Sequence, residues 1–181
     1  MTEFEQNWKN RIFIDTVGNT SLEDLSKAKF ALLAAGITTQ TPAASETADT
    51  TPYYDGMGFS SHDVTGKAIT FAIAGHRLEG DPAQDYVVPK FITIGDGLKT
   101  LGKWIDAEGN TVYFVATLTA IVPYGGAANV KQTFSFTLAA NGAPWLVKKD
   151  ANVAILPDGT TKPLPDGLVA PATNQGTDQG K

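Results

Sequence analysis

The sequence contains no cysteine. That excludes a disulfide framework, a thiolate metal site and a cysteine nucleophile, and it makes the chain indifferent to redox conditions. Only two histidines are present, His62 and His76, with no His-x-x-x-His arrangement between them. Both read as surface or rim residues rather than zinc ligands. Charge is scarce too: Asp, Glu, Lys and Arg make up 18% of the chain, against roughly 25% in ordinary soluble domains. The formal net charge of −5 argues against a protein that grips nucleic acid through phosphates, which takes clustered Lys and Arg. No apolar run approaches the length of a membrane span. The acidic start, Met1-Thr2-Glu3-Phe4-Glu5, lacks the apolar stretch of a signal peptide, so synthesis in the cytoplasm is expected.

What is present is a 181-residue chain with an ordinary 42% of hydrophobic residues. Normal hydrophobicity with little charge implies a neutral-polar surface, or one that becomes covered. The length suits one domain with arms. The expected division is an N-terminal arm over 1–10, a β domain over 11–150 and a C-terminal extension over 151–181. Ile12, Phe13 and Ile14 suggest a short strand within Arg11–Val17. Residues 21–36 read either as a helix, from the capping-box pattern at Ser21–Asp24, or as a strand from about Lys29 onward. Thr38 to Pro52 is rich in Thr, Ala, Pro and Ser with no apolar period, and reads as a long loop. Ile69, Phe71 and Ile73 alternate with Thr70, Ala72 and Ala74 as in a strand. Asp81-Pro82 is a helix start, and Pro89 ends or kinks that helix. Strands are expected at about Thr100–Ile105, Thr111–Val122 and Val130–Ala139, joined by turns at 106–110 and 123–126. After Val147 the composition turns to Pro, Gly, Asp and Thr, with Leu-Pro-Asp-Gly at 156–159 and again at 164–167.

No pattern asks for catalysis. Asp81 and Asp85 share a helix face, but capping and the helix dipole account for both. Asp106, Glu108 and Asn110 lack the length of a calcium loop and read as a hairpin tip. Gly95-Asp96-Gly97 and Gly125-Gly126 are turn glycines, not phosphate cradles. No serine sits in a nucleophile elbow. No catalytic residue, cofactor or metal is expected, and the chain reads as a non-enzyme.

The unusual feature is one face of two long strands. In Lys131–Gly142, Phe134, Phe136 and Leu138 alternate with Thr133, Ser135 and Thr137. In Thr111–Val122, Val112, Phe114, Ala116, Leu118 and Ala120 oppose Tyr113, Val115, Thr117 and Thr119. Threonine favours strands anyway, so a merely exposed sheet is one reading. The other is a wetted wall of small hydroxyl groups with few charged contacts, facing a channel or an assembly surface. Lys131 is the exception, near a strand end.

Three stretches resemble one family: "TPYYDGMGFSSHDVTGKAITFAIAGHRLEGDPAQDYVV" (Thr51 to Val88), "AAGITTQTPAASETADTTPYYDG" before it, and "PYGGAANVKQTFSFTLAANGAP" near the end. They are similar to the major tail tube proteins of long-tailed bacteriophages, especially of the Gram-positive-phage type, over roughly residues 26–147. The resemblance implies a mainly β fold, a β-sandwich or barrel-like tail tube fold with one flanking α-helix, a long loop and terminal arms, shared with type VI secretion tube proteins. It implies hexameric rings stacked into a tube in the virion tail, assembled in the host cytoplasm. The implied partners are other copies of the chain, a tape-measure protein in the lumen, and tail terminator and distal tail proteins. Double-stranded DNA would pass through without specific binding, and no membrane is involved. On this reading Thr117, Thr119, Lys131, Thr133, Ser135 and Thr137 line the lumen. Phe71, Ile73, Phe114, Leu118, Phe134, Phe136 and Leu138 form the core. Thr38, Thr39, Thr41, Glu46 and Asp49 belong to a loop that reaches an adjacent ring. Two departures from the family pattern stand out: Pro89 falls inside the expected helix, and residues 151–181 are too short for an extra immunoglobulin-like domain.

The alternative is a monomeric β-sandwich binding module of carbohydrate or adhesin type on a virion or cell surface. It needs an exposed aromatic platform, for which Tyr53, Tyr54, Trp104 and Trp145 are the candidates. A hydrolase on a β scaffold is a weaker third reading, since no acid/base pair stands out.

Overall fold

The computed structural model describes residues 4–165 and Leu168. Strand accounts for 47% of the chain and helix for 13%, so the protein is mainly β, a curled half-barrel of sheet with, among the described residues, a single α-helix. The strands are β1 (Arg11–Asp15), β2 (Phe30–Leu32), β3 (Ile37–Asp49), β4 (Asp63–His76), β5 (Lys99–Ile105), β6 (Thr111–Val122), β7 (Thr133–Val147), β8 (Val153–Ile155) and β9 (Thr161–Pro163). Every pairing is antiparallel, and the sheet order is β2-β1-β5-β6-β7-β4-β3. The β8–β9 hairpin hangs from β7 through Leu146 and Ile155.

The helix α1 (Pro82–Val87) starts where Asp81 and Pro82 direct: the Asp81 carboxylate accepts from the Gln84 backbone N–H at 2.9 Å, and proline occupies the first turn. Pro89 tightens the continuation of the chain into a 3-10 helix over Val88–Ile92. α1 packs Ala83 and Val87 onto the main core with Ile12, Ile14 and Leu33. In that core Phe71 stacks on Phe114 at 4.7 Å between ring centroids, and Phe134 and Phe136 meet at 5.5 Å. Gly102 is required where it stands, because a Cβ there would lie 2.3 Å from the Phe114 ring.

Four expectations change. The segment 38–52 is not a loop: Ile37–Asp49 is a strand paired along its length with β4. Its composition shows no apolar period because both of its faces lie largely open to solvent. The ambiguity over 21–36 ends with β2 at Phe30–Leu32, and Leu22 and Leu25 are buried without forming a helix. β7 runs on to Val147, past the expected end at Ala139, and absorbs a bulge near Gly142 where the register with β6 shifts. Finally, Tyr113 does not share an open face with Thr117 and Thr119. A second core lies on that side of the sheet, formed by Leu22, Leu25, Leu101, Tyr113, Trp145 and Ala154. Burial there pushes the Tyr113 hydroxyl up to about 12. Ala154, Leu156 and Leu164 reach this core from beyond residue 150, so the chain after β7 folds back on its own sheet.

Candidate functional site: an uncharged sheet face

Strand register assembles the site. Thr41 pairs with Ala72, Ala72 with Thr137, and Thr137 with Thr119, which gives one row across β3, β4, β7 and β6. The next row is Ala43, Thr70, Ala139 and Thr117; on the other side lie Thr39, Ala74 and Ser135. Paired residues share a face, so these rows form one surface, and its side chains named above are all Thr, Ser or Ala; the rows end at Val122, opposite Ser135, and at Lys99 of β5, opposite Thr117. The reverse side carries Pro42, Phe71, Leu138 and Leu118 in one row and Gln40, Ile73 and Phe136 in another. Phe71, Ile73, Phe134, Phe136 and Leu138 are each 2% exposed or less. The aromatic side is therefore the inner one of the subunit, and the hydroxyl side faces away from its core.

The hydroxyls are partly tied down. Thr119 Oγ1 donates to the Thr137 carbonyl at 3.4 Å, and Asn141 Nδ2 donates to Thr117 Oγ1 at 2.7 Å. Thr133 opens β7 at an exposed position opposite His76. Lys131 precedes the strand and stands outside the rows. At the far end of β6 a bulge falls between Thr119 and Val122, with Ala120 in the left-handed region at φ 51°. β5 pairs with β6 only as far as Thr117, so β6 has no strand partner on that side from Leu118 onward, and the 3-10 segments Val88–Ile92 and Gly95–Leu98 pack against β6. β3 is an edge strand of the sheet, with β2 at the opposite end of the order. The wall thus ends in an unpaired strand edge on each side.

The residues expected in an inter-ring loop divide between the two faces of β3. Thr39 and Thr41 belong to the uncharged rows. Glu46 is on the opposite face, bonded to Lys67 at 2.8 Å. Thr38 Oγ1 donates to the Ala74 carbonyl at 3.2 Å. Asp49 closes the strand by accepting from the Thr51 hydroxyl at 2.6 Å and the Thr51 N–H at 3.1 Å, which holds its carboxyl below the usual range. On the N-terminal side of Thr70, β4 is clear of β7 and pairs with β3 alone. Residues from about Ala44 to Ile69 therefore project as a two-stranded arm. Sequence reasoning missed this arm because its signal is the partner strand, not its own composition.

The other candidates fall into ordinary roles. Asp85 accepts from Arg77 and from the Gly80 N–H. Asp106 organises its hairpin tip by accepting from the Glu108 and Asn110 backbone N–H groups at 3.0 and 2.8 Å. The four aromatics of a possible platform do not share a surface. Tyr53 and Tyr54 sit at the arm's tip, Trp104 packs against Phe71 in the main core, and Trp145 is buried in the second.

No protein-family model matches the chain, and neither does any curated protein. Solved structures do. The fold is similar to that of a chain in the tail of an empty gene transfer agent (GTA) particle refined with C6 symmetry. There the TM-score is 0.59 and identity 19%, covering 80% of this chain and 98% of the other. In particular it also resembles a chain in the virion of a native gene transfer agent particle, with a TM-score of 0.54, 16% identity and coverage of 80% and 99%.

Proposed function

We propose that this protein is a structural subunit of a virion tail, self-assembling into stacked hexameric rings that form the tube through which a genome is delivered. The observation that carries the reading is the uncharged four-strand face backed by an aromatic core and bounded by unpaired strand edges. Pairing β3 of one copy with the unpaired end of β6 in the next would remove both of these edges and continue the rows around a ring. The C6 symmetry of the similar GTA tail supports a sixfold ring. Six such four-strand faces, at roughly 4.8 Å per strand, give a backbone bore on the order of 37 Å across. Short side chains leave that bore open for a duplex.

In this reading Thr117, Thr119, Thr133, Ser135 and Thr137 line the lumen, joined by Thr39 and Thr41, with Lys131 at its mouth. The arm beyond Thr41, with Glu46 and Asp49, makes contacts between rings. A tape-measure protein occupies the bore during assembly, and terminator and distal tail proteins close its ends. Assembly takes place in the host cytoplasm, and the role needs no catalysis. From β3 across to β6 the rows carry no cation, with Lys99 and Lys131 only at their border, so this stretch of wall releases no counterions when DNA passes and offers a polyanion little to hold. Negative-stain microscopy of the concentrated protein tests the reading. Rings or tubes with a central hole are expected; dispersed monomers at high concentration would overturn it and return the binding-module alternative.

A further inference from the structure

One half-buried cation stands without an anion. Lys103 pairs with Phe13 of β1 and with Tyr113 of β6, so its side chain shares the second-core face with theirs. Its ammonium nitrogen lies 5.1 Å from the centroid of the Phe13 ring, 5.6 Å from that of Tyr113 and 5.7 Å from that of Phe30. Three rings at that range attract a cation through their π faces, but they carry no charge to neutralise it. Among the described residues no carboxylate forms an ion pair with Lys103.

The acids around it are committed elsewhere. Asp15, on the same face of β1, is buried, and its two oxygens accept from the backbone N–H groups of Val17, Gly18, Asn19 and Lys29 and from the Asn19 side chain. Asp106, just past the end of β5, is spent on its own hairpin tip through Glu108 and Asn110. What Lys103 does have beside it is another cation. Arg11 is diagonal to it across the β1–β5 ladder, opposite Ile105. It is exposed and, among the described residues, has no ion pair either. Burial, and then the Arg11 charge, push the Lys103 ammonium below its ordinary range. Two like charges held together, one of them partly out of water, are costly until an anion joins them.

We propose that Lys103 and Arg11 form a binding site for a carboxylate ligand with an apolar body. The planar guanidinium of Arg11 matches the two oxygens of a carboxylate, and Lys103 adds a point charge behind them. The body has a matching floor. Leu32 continues the cross-strand row beyond Phe13 and is 39% exposed, and Phe13 and Phe30 are only half-buried. A free phosphate finds the same cations but makes no use of this floor. The site is on β1, β2 and β5, outside the uncharged rows, so it does not depend on the tube.

Sodium benzoate is the probe, exchanged for chloride at constant ionic strength, with acetate and inorganic phosphate run alongside. A ligand held only by the folded state raises its melting temperature. Benzoate should therefore raise the melt of the full chain, and by more than acetate does. Lys103→Met keeps an unbranched stem under the rings, and Arg11→Gln changes an exposed position. Each should weaken benzoate binding, read from the concentration dependence of the melt, by roughly tenfold or more, the loss expected for one charged hydrogen-bond partner. Lys67→Gln, on the arm, should leave that binding unchanged. No rise in the wild-type melt would overturn the site. So would equal stabilisation of wild type and Arg11→Gln, even if Lys103→Met failed to fold. Phosphate stabilising the chain more than benzoate would overturn the assignment of a carboxylate with an apolar body.

Discussion

Phe136 and Thr137 are neighbours in the chain and opposites in the fold. Phe136 is 2% exposed against Ile73 and Phe134, whereas Thr137 stands in the uncharged rows. Removing the phenylalanine ring leaves a cavity in a close-packed core. Phe136→Ala should lower unfolding free energy by about 3–5 kcal/mol. Thr137→Ala should stay within about 0.5 kcal/mol. Equal losses in denaturant titrations would mean that the faces are misassigned. This contrast is legible in the sequence because Phe, Ser, Phe, Thr and Leu alternate with the period of a pleated strand. Tyr113 defeats the same logic. Alternation puts it with Thr117 and Thr119, yet it packs edge-on against Phe30 and is buried with Trp145. A period-two pattern tells which residues share a face, not what covers each part of it. Here the cover comes from residues 22–30 and the chain after β7, both distant in sequence.

Among the elements, the arm shows how far a strand can be hidden. Thr, Ala, Pro and Ser in Ile37–Asp49 carry no apolar rhythm, and only pairing with β4 makes the segment a strand. The helix start is legible for the opposite reason, since Asp81 and Pro82 act within their own turn. Asp49 makes the arm's tip sensitive to acid. Its carboxyl is lowered chiefly by the Thr51 hydroxyl, then by the Thr51 N–H. A depressed carboxylate contributes order that is complete above its ordinary pKa of 3.8 and is lost as pH falls through the lowered value. Hydrogen exchange at the Thr51 amide should be slowed at neutral pH, and that protection should begin to fall only once the pH is taken below 3.8 and be lost through the lowered value. In Asp49→Asn the protection should be weak and independent of pH over that window. A wild-type tip whose protection is flat across the window would refute the cap.

For the whole molecule, the distribution of charge matters more than its sum. The chain has a net charge of −5, yet the row from Thr41 to Thr119 carries no charge. Ser135→Arg together with Thr137→Arg should fold, because both positions lie on the open face. In the proposed ring, six copies of each would narrow the bore and give phosphates a ring of cations to grip. Particles built from the double variant should deliver genomes at least tenfold less well than wild type, scored as transduction or plaque titre per particle. Undiminished delivery would mean that these rows do not face the passage.

Pro42 stands in the middle of β3, opposite Phe71, on a strand whose far side has no partner. A proline tolerated inside a ladder turns its nitrogen to the vacant side, so the outward row of donors is broken at its midpoint. Two free subunits meeting β3 to β3 would find that gap doubled and lose the central rungs of any mutual ladder. In the proposed assembly, mispaired twins are therefore discouraged before growth begins, and Pro42 helps keep this exposed backbone from joining the wrong neighbour.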